Sequence, residues 1–140
     1  VYLANKYAGH VEPALLVPVL TAVSTILGHN FPFWLKFRGG KGIATSAGAL
    51  MPLMPITILI AIALWAVTFL ITRYVSLGSI IAAMTLPICM IVSGLISGWQ
   101  IPLLVLALII CVLAIWRHKA NIQRLLNGTE NKFERKKKTA

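Results

Sequence analysis

Two short segments of this chain carry the residue types from which a polar reaction could be assembled. The first runs Gly28-His29-Asn30-Phe31-Pro32 and then Phe37-Arg38-Gly39-Gly40-Lys41-Gly42-Ile43-Ala44-Thr45. Glycines on either side of a lysine, directly before a helix, let backbone N–H groups approach an anion with no Cβ in the way. A helix starting near Gly42 adds the positive end of its dipole, and Lys41 adds a full charge. Together they can hold a phosphate, although the spacing is not that of a nucleotide P-loop. A flexible, positively charged turn at a membrane surface accounts for the same residues, so on composition alone both readings stand. His29 by itself reads as a structural residue at a helix end.

The second segment is Arg117-His118-Lys119-Ala120-Asn121-Ile122-Gln123-Arg124-Leu125-Leu126-Asn127-Gly128, with Glu130 just beyond. It predicts a helix that continues the preceding apolar run and stops at Asn127-Gly128. Arg117, Asn121 and Arg124 recur at i, i+4, i+7 on one stripe, with His118 about 60° from Asn121. Such a face suits an anionic substrate that needs both charge neutralisation and proton handling. A basic juxtamembrane helix lying on anionic headgroups is the alternative. Arg135 to Lys138 reads as a solvated, lipid-attracted stretch within a basic tail at 131–140.

The elements that must position these segments are set by composition. Of 140 residues, 59% are hydrophobic and 11% charged, with a mean hydropathy of +0.87. A soluble domain carries about 25% charged residues. Long, nearly uncharged intervals point instead to an all-α, polytopic membrane bundle. Thirteen Lys or Arg face three Glu, and there is no Asp. That excludes an Asp-rich magnesium site and an aspartyl-phosphate, and three scattered histidines suggest neither a metal site nor any other cofactor. A nucleic-acid partner would need a folded basic face offered to water, which these intervals do not supply. Cys89 and Cys111 lie inside apolar runs and read as buried thiols.

Apolar stretches run at about 12–28, 43–51, 53–72, 77–95 and 100–116. A crossing needs roughly 20 residues, and four of the five approach that. The stretch 43–51 is short, rich in small residues, and cut from the next by Met51-Pro52 and Pro55; helices of this kind pack inside bundles. Counting it as a crossing places 12 of the 13 basic residues on one side, with only Lys6 across. The positive-inside rule then makes five crossings and puts 28–42, 73–79 and 117–130 together at the cytoplasmic face.

The order and spacing of GHNFPFWLKFRGGKGIAT, RYVSL and RHKANIQRLLNGTE add a further reading. From about Ala14 to Glu130 the chain resembles the bacterial acyl-phosphate:glycerol-3-phosphate acyltransferases (PlsY type). The resemblance implies a seven-helix membrane enzyme of the plasma membrane with a cytoplasmic site, making lysophosphatidic acid. Its implied partners are glycerol 3-phosphate, a fatty acyl phosphate and membrane lipid. It assigns Gly39, Gly40, Lys41 and Gly42 to substrate phosphate, with Arg38 and Arg117 adding charge. Ser76 and Ser79 match a serine-bearing turn, though Ser76 is equally placed as a helix N-cap. His118, Asn121 and Lys41 are the implied catalytic residues, and Glu130 a structural ion-pair partner.

The family's first motif, an Arg followed by a Gly-Ser-Gly-Asn loop, is not found in these residues. The expectation is therefore a fragment holding five of seven helices, one of them short, and inactive on its own. The runner-up is a small transporter or channel subunit with a broken helix at 43–55. It would call for polar or ionisable residues in mid-span, and 53–72 and 100–116 contain no charge at all. The sidedness is checked by labelling. A thiol introduced between Lys36 and Lys41 should resist an impermeant reagent added to intact cells, and prompt external labelling would reverse the orientation.

Overall fold

The computed structural model describes residues 15–37 and 39–133. Lys6, Arg38 and the run Arg135 to Lys138 lie outside the described residues, as does the first part of the 12–28 stretch. Helix α1 spans Leu16–Asn30, and a 3-10 turn follows at Phe33–Leu35. Helix α2 spans Ile43–Leu50, α3 Pro55–Thr72, α4 Val75–Ser97, α5 Ile101–Arg117 and α6 Lys119–Leu126. Among the described residues the structure is all-helical.

Local chemistry explains the boundaries. Pro55 and Pro102 open α3 and α5 in their first turns, where a missing N–H costs nothing. α6 ends in a Schellman turn: Thr129 N–H donates to Arg124 O at 2.8 Å and Gly128 N–H to Leu125 O at 3.2 Å. Gly128 supplies the left-handed φ of 67° that this turn requires.

The buried core joins Ala22 and Ile26 of α1, Leu50 of α2, Ile58 and Ala61 of α3, Leu86 and Met90 of α4, and Leu103, Leu106, Ala107 and Ile110 of α5. Ile56, Leu70, Ile71 and Ile96 instead stay exposed on the outside of the bundle, as side chains facing lipid do. α3 and α4 are long and apolar enough to cross a membrane, as is α1 with its 3-10 turn and α5 with α6 if that bent pair is one span. This is a multi-pass membrane bundle.

Three expectations need correcting. The run 117–126 does not continue α5: the chain bends by 59° between α5 and α6, which makes six α-helices among the described residues where five were expected. The cause is local. His118 N–H is shared between Ala114 O and Ile115 O, both at 3.0 Å, and its ring nitrogen Nδ1 lies 2.8 Å from Ala114 O. A side chain inserted into the helical ladder is a recognised source of kinks.

Second, α2 has eight residues, about 12 Å of helix, too short to span the hydrocarbon alone. Among the described residues it buries only Ala49 and Leu50, with Ala44 and Gly48 exposed. Its start and the far end of α3 nevertheless lie at the same polar end, because Lys41, Asn121, Glu130 and Ser76 are joined by hydrogen bonds there. Third, Tyr74, not Ser76, is the N-cap of α4.

Candidate functional site

The polar end of the bundle is organised around one carboxylate. Glu130 Oε1 accepts from Ser76 Oγ and from Asn121 Nδ2, each at 2.7 Å. Glu130 Oε2 accepts from Arg124 Nε, also at 2.7 Å, in an ion pair. The Asn121 amide is used on both sides, because its Oδ1 accepts from Lys41 Nζ at 2.7 Å. Lys41 before α2, Ser76 on α4, Asn121 and Arg124 on α6 and Glu130 beyond it thus form one network. Burial works to raise the Glu130 pKa, but the hydrogen bonds from Ser76, Asn121 and Arg124 and the Arg124 charge outweigh it. They hold the carboxyl at about 2, against an ordinary 4.5.

His118 sits at the bend, 2% exposed. Its Nδ1 faces the Ala114 carbonyl, which can only accept, so this geometry assigns the proton to Nδ1 and leaves Nε2 as the acceptor. Burial pushes the imidazole below 6.5, assisted by the Lys41 charge and opposed by the Ala114 bond and Glu130. Burial likewise pushes Lys41 below 10.5; Glu130 opposes this, while Arg124 and Arg117 assist.

A cavity of about 810 Å³ opens beside this network. Lys41, Ser76, His118, Asn121 and Glu130 line its polar end, with His29, Gly42 and Ser79. Further in, its walls are apolar: Leu50, Ile58, Ala61, Trp65, Leu86 and Ile110.

Other residues singled out in the sequence stand behind the wall. Gly39 and Gly40 do not line the cavity, and both of their carbonyls accept from Arg117 Nη2 at 2.7 Å. Their lack of a side chain has a packing reason. A Cβ on Gly39 would collide with the His29 and Asn30 carbonyls and with Pro32, and one on Gly40 with the His29 ring. Gly42, at φ 77°, backs onto the buried Asn30 amide. The glycine turn is thus moulded onto the end of α1 and clamped by Arg117, which itself stacks over Phe31 at 5.3 Å. Of the turn, only Lys41 and Gly42 face the cavity, beside the free N-terminus of α2. Ser79 spends its hydroxyl on Val75 O at 2.9 Å and accepts from Trp65 Nε1 at 3.4 Å.

Sequence reasoning missed Trp65 and the stretch 131–133. Asn131, Lys132 and Phe133 line the cavity, so the start of the expected basic tail is part of the wall. The lone aromatic, Phe133, among basic residues was the only available signal.

These geometries fix two pH dependences. A buried imidazole with a lowered pKa is less willing to be protonated folded than unfolded, so His118 stabilises less as pH falls below 6.5. Its ring resonances should titrate at a midpoint below 6.5 in an NMR pH series, and a midpoint above 6.5 would contradict the burial. Glu130 has the depressed pKa of a paired carboxylate. Its contribution is complete above pH 4.5 and is lost as pH falls towards 2. Glu130→Gln should flatten the acid limb of thermal stability across that window.

Comparison with known proteins identifies the family. Residues 1–128 match the family model described as glycerol-3-phosphate acyltransferase. A glycerol-3-phosphate acyltransferase of Desulforamulus reducens is 42% identical over 116 residues, covering 83% of this chain and 56% of the relative. One from Thermotoga petrophila is 42% identical over 132 residues, covering 94% of this chain and 63% of the relative. The chain therefore spans less than two thirds of the length of these curated relatives. Among solved structures, PlsY, an integral membrane glycerol 3-phosphate acyltransferase, superposes in its glycerol 3-phosphate form with a TM-score of 0.78 at 37% identity, covering 84% of this chain and 57% of that one. Its lysophosphatidic acid form gives a TM-score of 0.77. The family match, the identities and the superposition agree: this chain belongs to the PlsY-type glycerol-3-phosphate acyltransferase family.

Proposed function

We propose that this site transfers a fatty acyl group from an acyl phosphate to a hydroxyl of glycerol 3-phosphate, releasing inorganic phosphate and giving lysophosphatidic acid. The observation that carries the reading is one cavity that is cationic and hydrogen-bonding at one end and apolar along the helices. One reactant is a small polar anion and the other an anion with a long apolar tail, and such a cavity suits the pair.

In this reading Lys41 and the free N–H groups at the start of α2 hold the glycerol phosphate. The incoming anion favours the charged form of a lysine whose pKa burial lowers. The acceptor hydroxyl oxygen attacks the acyl carbonyl carbon, and the bond from that carbon to the phosphate oxygen breaks. Phosphate is already a good leaving group, so no serine or cysteine nucleophile has to be acylated first. The hydroxyl proton passes to His118 Nε2 or to a substrate phosphate oxygen. Asn121, locked by Lys41 and Glu130, orients the hydroxyl and stabilises the developing oxyanion. Arg117, Gly39 and Gly40 contribute by holding the turn that aims Lys41. The apolar slot past Trp65 takes the acyl chain. The site lies at the cytoplasmic face of the bacterial plasma membrane, with the basic residues 117–140 on the same side.

The test compares acyl phosphate, acyl-CoA and acyl carrier protein as donors to glycerol 3-phosphate in the full-length protein. Transfer should depend on acyl phosphate, and equal rates with acyl-CoA would overturn the donor assignment. Lys41→Ala should raise KM for glycerol 3-phosphate by about 10- to 150-fold, the loss of a charge-assisted bond worth roughly 1.5–3 kcal/mol. His118→Ala should instead lower kcat by about 100-fold or more. An unchanged KM in the lysine variant would remove the phosphate role.

A further inference from the structure

Beyond α6 the described residues stay on the bundle. The stretch 129–133 turns back across the polar end and is attached at both of its ends. At one end Thr129 N–H closes the α6 turn on Arg124 O, and Glu130 holds Ser76, Asn121 and Arg124. At the other, Phe133 N–H donates to Arg73 O at 2.9 Å. Arg73 ends α3 in a left-handed conformation, φ 64°; its N–H closes the helix on Phe69 O, leaving its carbonyl to take the Phe133 N–H.

The Phe133 ring completes this second attachment. It meets Phe69 edge-on at 5.6 Å between centroids, and Phe69 stacks on Trp65 at 5.4 Å. Trp65 is held in turn by its N–H to Ser79 Oγ at 3.4 Å and by close packing on Gly78, where a Cβ would crowd the indole. The column therefore rests on α4, the helix that also carries Ser76. Between the two attachments, Glu130 and Asn131 border the cavity, and Lys132 Nζ lies 5.9 Å from the Tyr74 ring centre.

We propose that Phe133 is a positioning residue: seated on the Phe69–Trp65 column, it holds the 129–133 strap across the polar end and thereby keeps the Glu130 carboxylate in register with Asn121 and Lys41. The reasoning is geometric. Glu130 lies on a strap, not on a helix, so nothing in its own backbone hydrogen bonding fixes its distance from Ser76 on α4. A second contact, three residues away at Phe133, fixes the strap against α3 and the aromatic column that rests on α4. Without the ring, the strap is held to α4 only by the Ser76–Glu130 hydrogen bond and to the end of α3 only by one backbone bond at Arg73. Asn121 then loses one of its two partners whenever the strap swings out, and the Lys41 ammonium loses its fixed acceptor. Phe133 borders the cavity, but its hydrogen bond and ring contact are to Arg73 and Phe69 and not to Lys41, His118 or Asn121, so its influence on the glycerol phosphate runs through Glu130.

This inference rests on the glycerol 3-phosphate reading of the site, and the experiment separates the two. In the full-length protein, Phe133→Ala should raise KM for glycerol 3-phosphate about three- to tenfold, the range open to one lost aromatic contact, while Phe133→Trp restores it. The effect should vanish in a Glu130→Gln background, since both changes act on the same link. Phe69→Ala, which leaves the strap's own residues intact, should give the same rise. An unchanged KM in whichever of the two alanine variants folds overturns the proposal. So does full additivity of Phe133→Ala with Glu130→Gln, because a general packing role would add independently. Absence of transfer to glycerol 3-phosphate in the unmutated protein would instead overturn the functional reading itself.

Discussion

The Glu130 carboxylate is the point on which the polar end depends. It brings one negative charge into a face dominated by cations, in a chain with 13 basic and 3 acidic residues. Lys41, Arg117 and Arg124 approach one another there, and without a counter-charge they would repel at short range in a partly dehydrated setting. Its side chain is only 7% exposed, so its desolvation is costly unless the lone pairs are satisfied. Three donors meet that requirement, and they come from two different helices. The charge is thus stabilised only when α4, α6 and the strap are all in place. Polar satisfaction and tertiary structure are the same event here.

The bend at His118 gives the second constraint its form. A straight continuation of α5 would leave Asn121 and Arg124 on the same stripe as Arg117. Bent, the two halves serve different partners. Arg117 turns to the Gly39 and Gly40 carbonyls, and Asn121 and Arg124 turn to Glu130. The imidazole that joins the break is also the group with a free Nε2 at the cavity. One residue both kinks the helix and faces the cavity.

Below this polar layer the bundle behaves as a membrane protein must. Its outer surface is apolar, and its inner surface is divided between a packed core and a slot lined by Ala61, Trp65, Ala83 and Leu86. Small residues at Ala61 and Ala83 leave room where larger ones would close the slot against α2. Trp65 and Phe133 wall the same slot, joined behind it by Phe69, and Phe133 reaches the polar layer, so the apolar and polar halves are mechanically joined.

The sequence by itself determined the class of the fold, most of the helix limits and the segments that gather at the polar end. These follow from apolar run length, proline and glycine punctuation and the one-sided distribution of Lys and Arg, all of which are local or additive properties. It also marked Lys41, His118, Asn121 and Glu130 as residues of interest, because their types and spacing match a family pattern. It did not show which glycines face the cavity. Gly39 and Gly40 differ from Gly42 only in what packs behind them, namely the carbonyls and ring of the α1 terminus. The kink at His118 was equally hidden, since it arises from a side-chain bond that helical spacing does not encode. Only the tertiary structure decided that Ser76 serves Glu130 and does not cap α4, and that Phe133 belongs to the wall and not to the tail. Both are contacts between residues more than 50 positions apart, set by how helices from distant parts of the chain meet, and no periodicity within either segment carries that information.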